Sequence, residues 1–253
     1  MIDGLLMAIA TYSRIPTPRI EWTRQGLRYS LCFFPLVGVF VGALELGWLI
    51  LASHFSLGAM LTGAVGCAVP LLVTGGIHMD GFMDALDALG ARREREDTLR
   101  ILKDPHAGAF AVMGCALYLI AQFSALPSLA FYPAVALAAG FVVSRAASAF
   151  LMAALPAARP DGMAAAVKDA ADEKGAAAVM LAAIGWGTAF SVLMLWAAPV
   201  LSAVALLWVA LSVLFCLRIV RRLGGITGDI AGWFLQVAEL GILMTLAIGG
   251  NFL

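Results

Sequence analysis

The chain has 253 residues, of which 62% are hydrophobic and 13% charged, and its formal net charge is zero. Its mean hydropathy is +0.96. Ordinary soluble domains contain about 45–50% apolar and about 25% charged residues, so this composition excludes a soluble globular protein. We therefore expect an integral membrane protein whose surroundings are the lipid bilayer, and no nucleic acid among its partners.

The chain opens with a short apolar segment. Residues 4–13 are too few to cross a bilayer, and they lack the basic start of a signal peptide. We predict a short interfacial or packed helix over these residues.

Seven later segments are each long and apolar enough to cross the bilayer as a helix, which takes about 20 residues. In chain order they are 31–53, 57–77, 108–127, 129–154, 176–197, 199–218 and 231–252. Prolines interrupt the two longest uncharged stretches and divide each into a helical hairpin. The sequence predicts an all-α polytopic membrane bundle of about seven transmembrane helices, within a range of six to eight, as a single domain over residues 1–253. The oligomeric state, including a homo-oligomer, is left open.

The cysteines give no sign of a disulfide or a metal site. They lie inside the predicted spans without ligand spacing, at Cys32, Cys67, Cys115 and Cys216. We expect them to be small core residues.

Basic residues are confined to a few connections. Apart from Arg145, the 16 Lys and Arg residues lie in or beside segments 14–28, 92–103, 159–174 and 218–222. If the predicted spans alternate in direction, these segments fall on one face, which the positive-inside rule assigns to the cytoplasm. This pattern predicts a protein of the bacterial cytoplasmic (inner) membrane, with the N-terminus inside and the C-terminus outside.

Acidic residues are concentrated in "GGIHMDGFMDALDALG", residues 75–90. Asp80, Asp84 and Asp87 are spaced i, i+4 and i+7, so they share an arc of about 60° on one helix face. Their mutual repulsion would be relieved by a divalent cation, and Mg²⁺ is the obvious candidate. A solvated polar face and the ion pathway of a transporter are the alternatives. The position of these residues at one membrane edge favours a metal site over a transport pathway.

Two further polar clusters lie at the same predicted face. In "ILKDPHAGAF", residues 101–110, Lys103 could bind phosphate and Asp104 could complete a metal shell, with His106 close by. The alternative for Lys103 is a basic stop signal at the membrane edge. At the start of the last span, Thr227 or Asp229 could cap the helix or belong to the site.

Polar residues inside the spans should face the interior of the bundle. Asp229, Gly232, Gln236 and Glu239 form a stripe along the last span, and Glu45 and Arg145 are further charges within spans. For Arg145, an internal pair with a glutamate and a contact with a substrate phosphate are both open.

The chain resembles the adenosylcobinamide-GDP ribazoletransferase family, also called cobalamin 5′-phosphate synthases, over nearly its whole length. The matching pieces are "SRIPTP" at 13–18, "FFPLVGVFVG" at 33–42, "GGIHMDGFMDALDALG" at 75–90, "ILKDPHAGAF" at 101–110, "SR" at 144–145 and "GGITGDIAG" at 224–232. Glu239 follows ten residues after Asp229. The departures are "GARRERED", which lacks the glycine run of many relatives, and Ala111, where glycine is commoner. Neither involves a charged site residue.

The resemblance implies an enzyme that closes the cobalamin nucleotide loop. α-Ribazole or its 5′-phosphate would displace GMP from adenosylcobinamide-GDP in a Mg²⁺-dependent, membrane-bound transfer. The catalytic candidates are His78, Asp80, Asp84, Asp87, Lys103 and Asp104. The substrate-binding candidates are His106, Arg145, Thr227, Asp229, Gln236 and Glu239, and the metal candidates are Asp80, Asp84, Asp87 and Asp229. His78 or an aspartate would accept the hydroxyl proton, and the alternative for His78 is an orienting role.

The nearest rival is a CDP-alcohol phosphotransferase, another membrane enzyme with aspartates for Mg²⁺. Asp84, Asp87, Ala91 and Arg92 match the first half of its signature, except that Ala88 replaces a glycine. The second half fails, because Ile101, Pro105 and Ala109 replace its glycine and two aspartates. A transporter, the rival outside the enzymes, would tolerate the removal of magnesium.

Overall fold

The computed structural model describes residues 2–170 and 172–250, and nearly all of them lie in helices or short connections. The helices are α1 Ile2–Tyr12, α2 Arg24–His54, α3 Ala59–Thr74, α4 Ile77–Gly90, α5 Arg95–Ile101, α6 Ala109–Ala125, α7 Phe131–Ala154, α8 Met163–Ala170, α9 Glu173–Ala197, α10 Pro199–Leu223 and α11 Gly228–Gly249. A 3₁₀ turn, Leu126–Ser128, separates α6 from α7. The predicted all-α bundle is confirmed.

Long apolar helices account for most of the chain. In the part of the chain that the structure describes, six helices are long and apolar enough to cross a membrane, one of them being α6 together with the 3₁₀ turn that follows it. The pair α3 and α4 adds a seventh span if it is counted as one broken span. This agrees with the predicted number. The predicted short helix at 4–13 is also present as α1, which packs against α2 and buries Met7 and Ala8 completely.

A sharp bend separates α3 from α4. The two helix axes differ by 96°, and the residues between them, Gly75 and Gly76, have φ angles of +66° and +77°. Side chains with a Cβ atom rarely adopt this left-handed conformation, which explains two successive glycines at the bend. Because of the bend, α4 leaves the axis of α3 and crosses α11.

The core of the bundle consists of α7 and α11. Most of their residues are buried, whereas α9 and much of α10 expose large apolar side chains such as Leu181, Trp196 and Leu207. Those exposed side chains suit contact with lipid. The four cysteines are free, and all of them lie within helices, as predicted.

Glycines bring α2 against α7. Gly38 and Gly42 are four residues apart, and a Cβ atom at either one would collide with a main-chain carbonyl of α7, that of Phe141 or Ala138 respectively. Small residues with this spacing allow close backbone contact between membrane helices, where van der Waals packing drives association.

We expect Gly42→Ala to destabilise the protein by about 1–3 kcal/mol, because the added methyl group overpacks this contact. Gly47→Ala is a matched control on the same helix, since nothing lies within 4 Å of a Cβ atom there. Alanine favours helix over glycine, so the control should be neutral or slightly stabilising. The free energy of unfolding in a lipid or detergent environment measures both changes. Equal losses in the two variants would contradict close packing at Gly42.

Candidate active site

The candidate site begins where α4 crosses α11 at two glycines. A Cβ atom at Gly81 would lie 3.0 Å from the Cα of Asp229, and one at Gly232 would lie 3.1 Å from the carbonyl oxygen of His78. Contacts this short leave room only for hydrogen atoms. The crossing therefore brings the start of α11 against the aspartate-bearing part of α4.

Carboxylates from two helices meet at this crossing. Asp84 interacts electrostatically with Asp80 and Asp87 of its own helix, with Asp229 of α11 and with the cation of Arg159. Asp80 is exposed, while Asp84 and Asp229 are partly buried. Negative charges held together in partly buried positions repel one another and favour a bound cation.

The carboxylates of this cluster can supply part of the coordination of a Mg²⁺ ion. Within residues 2–170 and 172–250, no three His, Cys, Asp or Glu side chains form a group that could hold a metal ion by themselves. Mg²⁺ is usually bound by one or two carboxylates together with waters and substrate phosphates, and seldom by a closed protein cage. Asp84 and Asp229 therefore fit an ion whose remaining coordination waters and a phosphorylated substrate would complete.

Cations border the carboxylates on one side. Arg159 places Nη2 3.4 Å from the carboxylate of Asp229 and Nε 3.8 Å from that of Asp161. Lys103 donates a hydrogen bond of 2.5 Å to the other oxygen of Asp161. This bond holds the pKa of Asp161 below its usual range. The result is a row of alternating charges, from Lys103 through Asp161 and Arg159 to Asp229.

Sequence reasoning did not name Arg159 or Asp161. They lie in the connection between α7 and α8, which forms an isolated β-bridge between Ala157 and Ile226. Ile226 donates to the carbonyl of Pro156 at 2.7 Å and accepts from the amide of Ala158 at 3.0 Å. The sequence does contain these two charges, within the basic segment 159–174. Their position beside the acidic cluster depends on the long-range backbone contact with Ile226.

A second arginine fixes the same connection. Arg95 of α5 donates to the carbonyl oxygens of Leu223 at 2.7 Å and Ala158 at 3.2 Å. It thereby joins the end of α10 to the connection that carries Arg159. Charge-assisted bonds to two carbonyls restrict how far these two segments can separate.

Asp87 lies on the aspartate face of α4, but its carboxylate caps α6. Its oxygens accept hydrogen bonds from the amides of Gly108, at 2.5 Å, and Ala111, at 2.9 Å. A Cβ atom at Gly108 would approach Asp87 Oδ1 to 2.7 Å, so glycine is needed there. These bonds satisfy amides that the first turn of a helix leaves without partners. Asp87 thus holds the segment that contains Lys103 against α4.

Asp104 and His106 form a pair of their own at the surface. Asp104 Oδ1 lies 2.7 Å from His106 Nδ1 and accepts from the His106 amide at 3.0 Å. The pKa of Asp104 is lowered most by the hydrogen bond from the His106 ring, and to a smaller extent by the hydrogen bond from the His106 amide. Both side chains are exposed. Among the described residues, His106 forms its ion pair with Asp104 and with no carboxylate of the acidic cluster.

His78 faces away from the aspartates. Two residues before Asp80 on the helix, it points about 160° from Asp80 around the helix axis and packs against Phe34 and Tyr12, with ring centroids 5.4 and 6.4 Å away. It is only 5% exposed. Its Nε2 has no hydrogen-bond partner among the described residues. The ring therefore lies in the packed core beside α1 and α2.

Arg145 forms the internal pair that was one of its two predicted alternatives. Its Nη1 lies 2.5 Å from Glu239 Oε1, which also accepts from Ser144 Oγ at 2.8 Å. Arg145 is 1% exposed and Glu239 5% exposed, so neither offers surface to a substrate in this conformation. Removing one partner of such a pair leaves a buried charge without compensation. The pair joins α7 to α11 beneath the site.

The remaining predicted residues lie along α11. The Thr227 hydroxyl accepts from the amide of Ile230 at 3.2 Å and so caps the helix. Gln236 is 6% exposed. Together with Glu239, it faces the bundle interior, as the polar stripe predicts. The structure thus brings together Asp80, Asp84, Asp229, Arg159 and, through Asp161, Lys103.

The fold and site define a class of protein: a polytopic helical membrane protein with carboxylates and cations gathered at one end of the bundle. Comparison with known families narrows this class, because the cobalamin-5-phosphate synthase family model matches residues 4–247. The chain belongs to this family. The resemblance noted in the sequence and the expectation of a cobalamin-biosynthesis enzyme are confirmed.

Individual relatives match over most of their length. A protein of Lachnoclostridium phytofermentans is 34% identical over 251 residues, which cover 98% of this chain and 95% of the relative. One from Pseudomonas savastanoi pv. phaseolicola is 40% identical over 230 residues, covering 88% and 90%. Both are named adenosylcobinamide-GDP ribazoletransferase. No solved structure matches the chain.

The capping role of Asp87 predicts a local effect of its removal. We expect Asp87→Ala to destabilise the start of α6 by about 1–2 kcal/mol, as at other helix caps. Hydrogen–deuterium exchange at the amides of residues 108–111 should become faster. Asp84→Ala is the control on the same face, because Asp84 makes no hydrogen bond to α6 in the described structure. Unchanged exchange in Asp87→Ala would contradict the capping role.

Proposed function

We propose that the protein transfers the adenosylcobinamide-phosphate group of adenosylcobinamide-GDP to α-ribazole or its 5′-phosphate and releases GMP, with Mg²⁺ as the metal. Family membership and the names of the relatives support the choice of substrates. The observation that carries the proposal is the convergence of Asp84 from α4 and Asp229 from α11 beside Arg159. Carboxylates and an arginine in this arrangement suit a metal-bound diphosphate.

The chemistry sets clear requirements on the site. A ribose hydroxyl attacks a diphosphate phosphorus, the bond to the GMP oxygen breaks, and negative charge accumulates on the departing GMP. A bound Mg²⁺ would supply charge neutralisation on the phosphate oxygens. In the proposal, Asp84 and Asp229 hold this ion, and Asp80 beside them accepts the hydroxyl proton. The chain must also supply cations for the remaining phosphate charge and a base for the hydroxyl proton.

Arg159 and Lys103 are proposed as the cations. Arg159 is 3.4 Å from Asp229, the carboxylate of α11 in the cluster, and its planar guanidinium can bind two phosphate oxygens at once. Lys103 is half exposed and paired with Asp161, so it could exchange that carboxylate for a phosphate. These roles place the leaving GMP on the side of the α7–α8 connection.

An aspartate is proposed as the acceptor of the hydroxyl proton. A general base must come within hydrogen-bond reach of the proton that it removes. His78 is 5% exposed and packs between aromatic rings on the opposite side of α4. Asp80 is exposed at the crossing. Of the two kinds of acceptor that the sequence suggested, the aspartate fits this geometry better.

The site is proposed to face the cytoplasm of a bacterium. Lys103 and Arg159 belong to the basic segments 92–103 and 159–174. Loops with an excess of Lys and Arg remain on the cytoplasmic side of membrane proteins. With alternating spans, this orientation places the N-terminus inside and the C-terminus outside. A phosphorylated nucleotide substrate would then reach the site without crossing the bilayer.

The direct test is release of GMP by purified protein in lipid nanodiscs supplied with adenosylcobinamide-GDP, α-ribazole and Mg²⁺. We expect Mg²⁺-dependent release, and a loss of more than about 100-fold in Asp84→Asn, because metal binding contributes several kcal/mol to transition-state stabilisation. Asp97→Asn is the matched control, since Asp97 lies on α5 and pairs with Arg100 at the surface. Removal of Mg²⁺ by a chelator should abolish release.

The outcomes separate the function from the site. Folded wild-type protein that releases no GMP would overturn the proposed reaction. GMP release that survives intact in Asp84→Asn would leave the reaction in place and remove Asp84 from its machinery.

A further inference from the structure

A groove outside the acidic cluster lies between the end of α1 and the α3–α4 bend. It has a volume of about 730 Å³. Its polar lining includes Arg14, Ser13 and Thr74, and its apolar lining includes Leu71 and Met83. Asp80 also lines it, so the groove opens directly onto the proposed reaction site. Its size suits a small organic ligand with polar and apolar parts, such as a nucleotide.

Arg14 occupies a fixed position in this groove. Its amide donates to the carbonyl of Val73 at 2.8 Å, which ties it to the end of α3. Its side chain lies over Gly75, where any Cβ atom would collide with the guanidinium stem. The glycine thus has two functions at this point, since it also adopts a φ of +66°. The backbone contact and the absence of a Cβ together direct Arg14 across the bend.

The charge of Arg14 is available to a ligand. Arg14 is exposed, and within the described residues it forms no ion pair with a carboxylate. Two other arginines of the same basic segment are engaged: Arg24 donates to the Asp169 carbonyl, and Arg28 pairs with Asp172. An unpaired arginine on a groove wall is a suitable partner for a phosphate.

We propose that this groove binds the acceptor nucleoside and that Arg14 recognises its 5′-phosphate. The inference rests on the proposed function and specifies which phosphate Arg14 would contact. Asp80 lies four residues beyond Gly76, or about 6 Å along α4. The attacking hydroxyl and the 5′-phosphate lie at opposite ends of a ribose 5′-phosphate, so both ends can lie in the one groove that Asp80 and Arg14 line. The hydroxyl can therefore reach Asp80 while the 5′-phosphate meets Arg14.

The arrangement also divides the site between the two substrates. Arg159 of the α7–α8 connection borders the acidic cluster, and Lys103 of the α5–α6 connection lies beyond it, paired with Asp161. Arg14 belongs to the α1–α2 connection on the groove side. The apolar side chains of α3 and α4 between them can pack against an uncharged aromatic base. The acceptor would then approach the diphosphate from the groove, on a different side from Arg159 and Lys103, which suits an in-line displacement.

The test compares the binding of α-ribazole 5′-phosphate with that of α-ribazole to protein in nanodiscs of phosphatidylcholine. We expect Arg14→Gln to weaken binding of the 5′-phosphate by about tenfold or more, the usual effect of losing a charge-assisted hydrogen bond. Binding of α-ribazole should change much less. Arg14→Lys should retain part of the preference, since it keeps the charge without the planar fork. Arg19→Gln is the control, because Arg19 lies in the same connection and does not line the groove.

Binding can be measured even if no reaction occurs, so each outcome either supports or contradicts the proposal. Equal weakening of both ligands by Arg14→Gln would overturn phosphate recognition, as would no weakening of either. A lipid headgroup is the other source of phosphate at a membrane edge, so the measurement is repeated with phosphatidylglycerol. Loss of the Arg14-dependent preference in that lipid would assign the groove to lipid and overturn the proposal. Failure of GMP release with intact selective binding would reject the reaction alone.

Discussion

The close crossing of α4 and α11 is the constraint on which the candidate site depends. Gly81 and Gly232 allow the two backbones to approach until an added Cβ atom would lie 3.0 Å from Asp229. This contact sets a carboxylate of one helix beside those of another. Arg159 pairs with Asp229 on one side of this cluster, and we propose that a divalent cation lies between the carboxylates of the two helices.

Contacts around the crossing hold its charged partners in place. The bridge between Ala157 and Ile226 brings Arg159 to Asp229, and Asp87 draws the segment bearing Lys103 toward α4. Beneath the site, the buried pair of Arg145 and Glu239 joins the two central helices. Polar residues inside the membrane therefore have two roles here. Those at the crossing remain accessible for chemistry, and those below it join helices whose apolar surfaces alone specify little about register.

The sequence predicts the helices well because bilayer thickness fixes the length of an apolar span. It also predicts that Asp80 and Asp84 share a face. It does not reveal that Asp87 on that face caps α6, because its partners, the amides of Gly108 and Ala111, are supplied by tertiary contact. The positions of Arg159 and Asp161 are likewise set by tertiary contact, and the connection in which they lie has no periodicity from which a site could be predicted. His78 adjoins the aspartates in sequence, yet helix geometry turns it toward Phe34 and Tyr12.

We propose that Asp84 and Asp229, from separate helices, share one divalent ion with a diphosphate. Mn²⁺ binding in the presence of GDP, followed by electron paramagnetic resonance, tests it most directly through a double-mutant cycle of Asp84→Asn and Asp229→Asn. We expect each change to weaken Mn²⁺ binding, and the double variant to lose much less binding free energy than the sum of the two single losses. Strict additivity, or Mn²⁺ affinity equal to wild type in either variant, would contradict a shared ion.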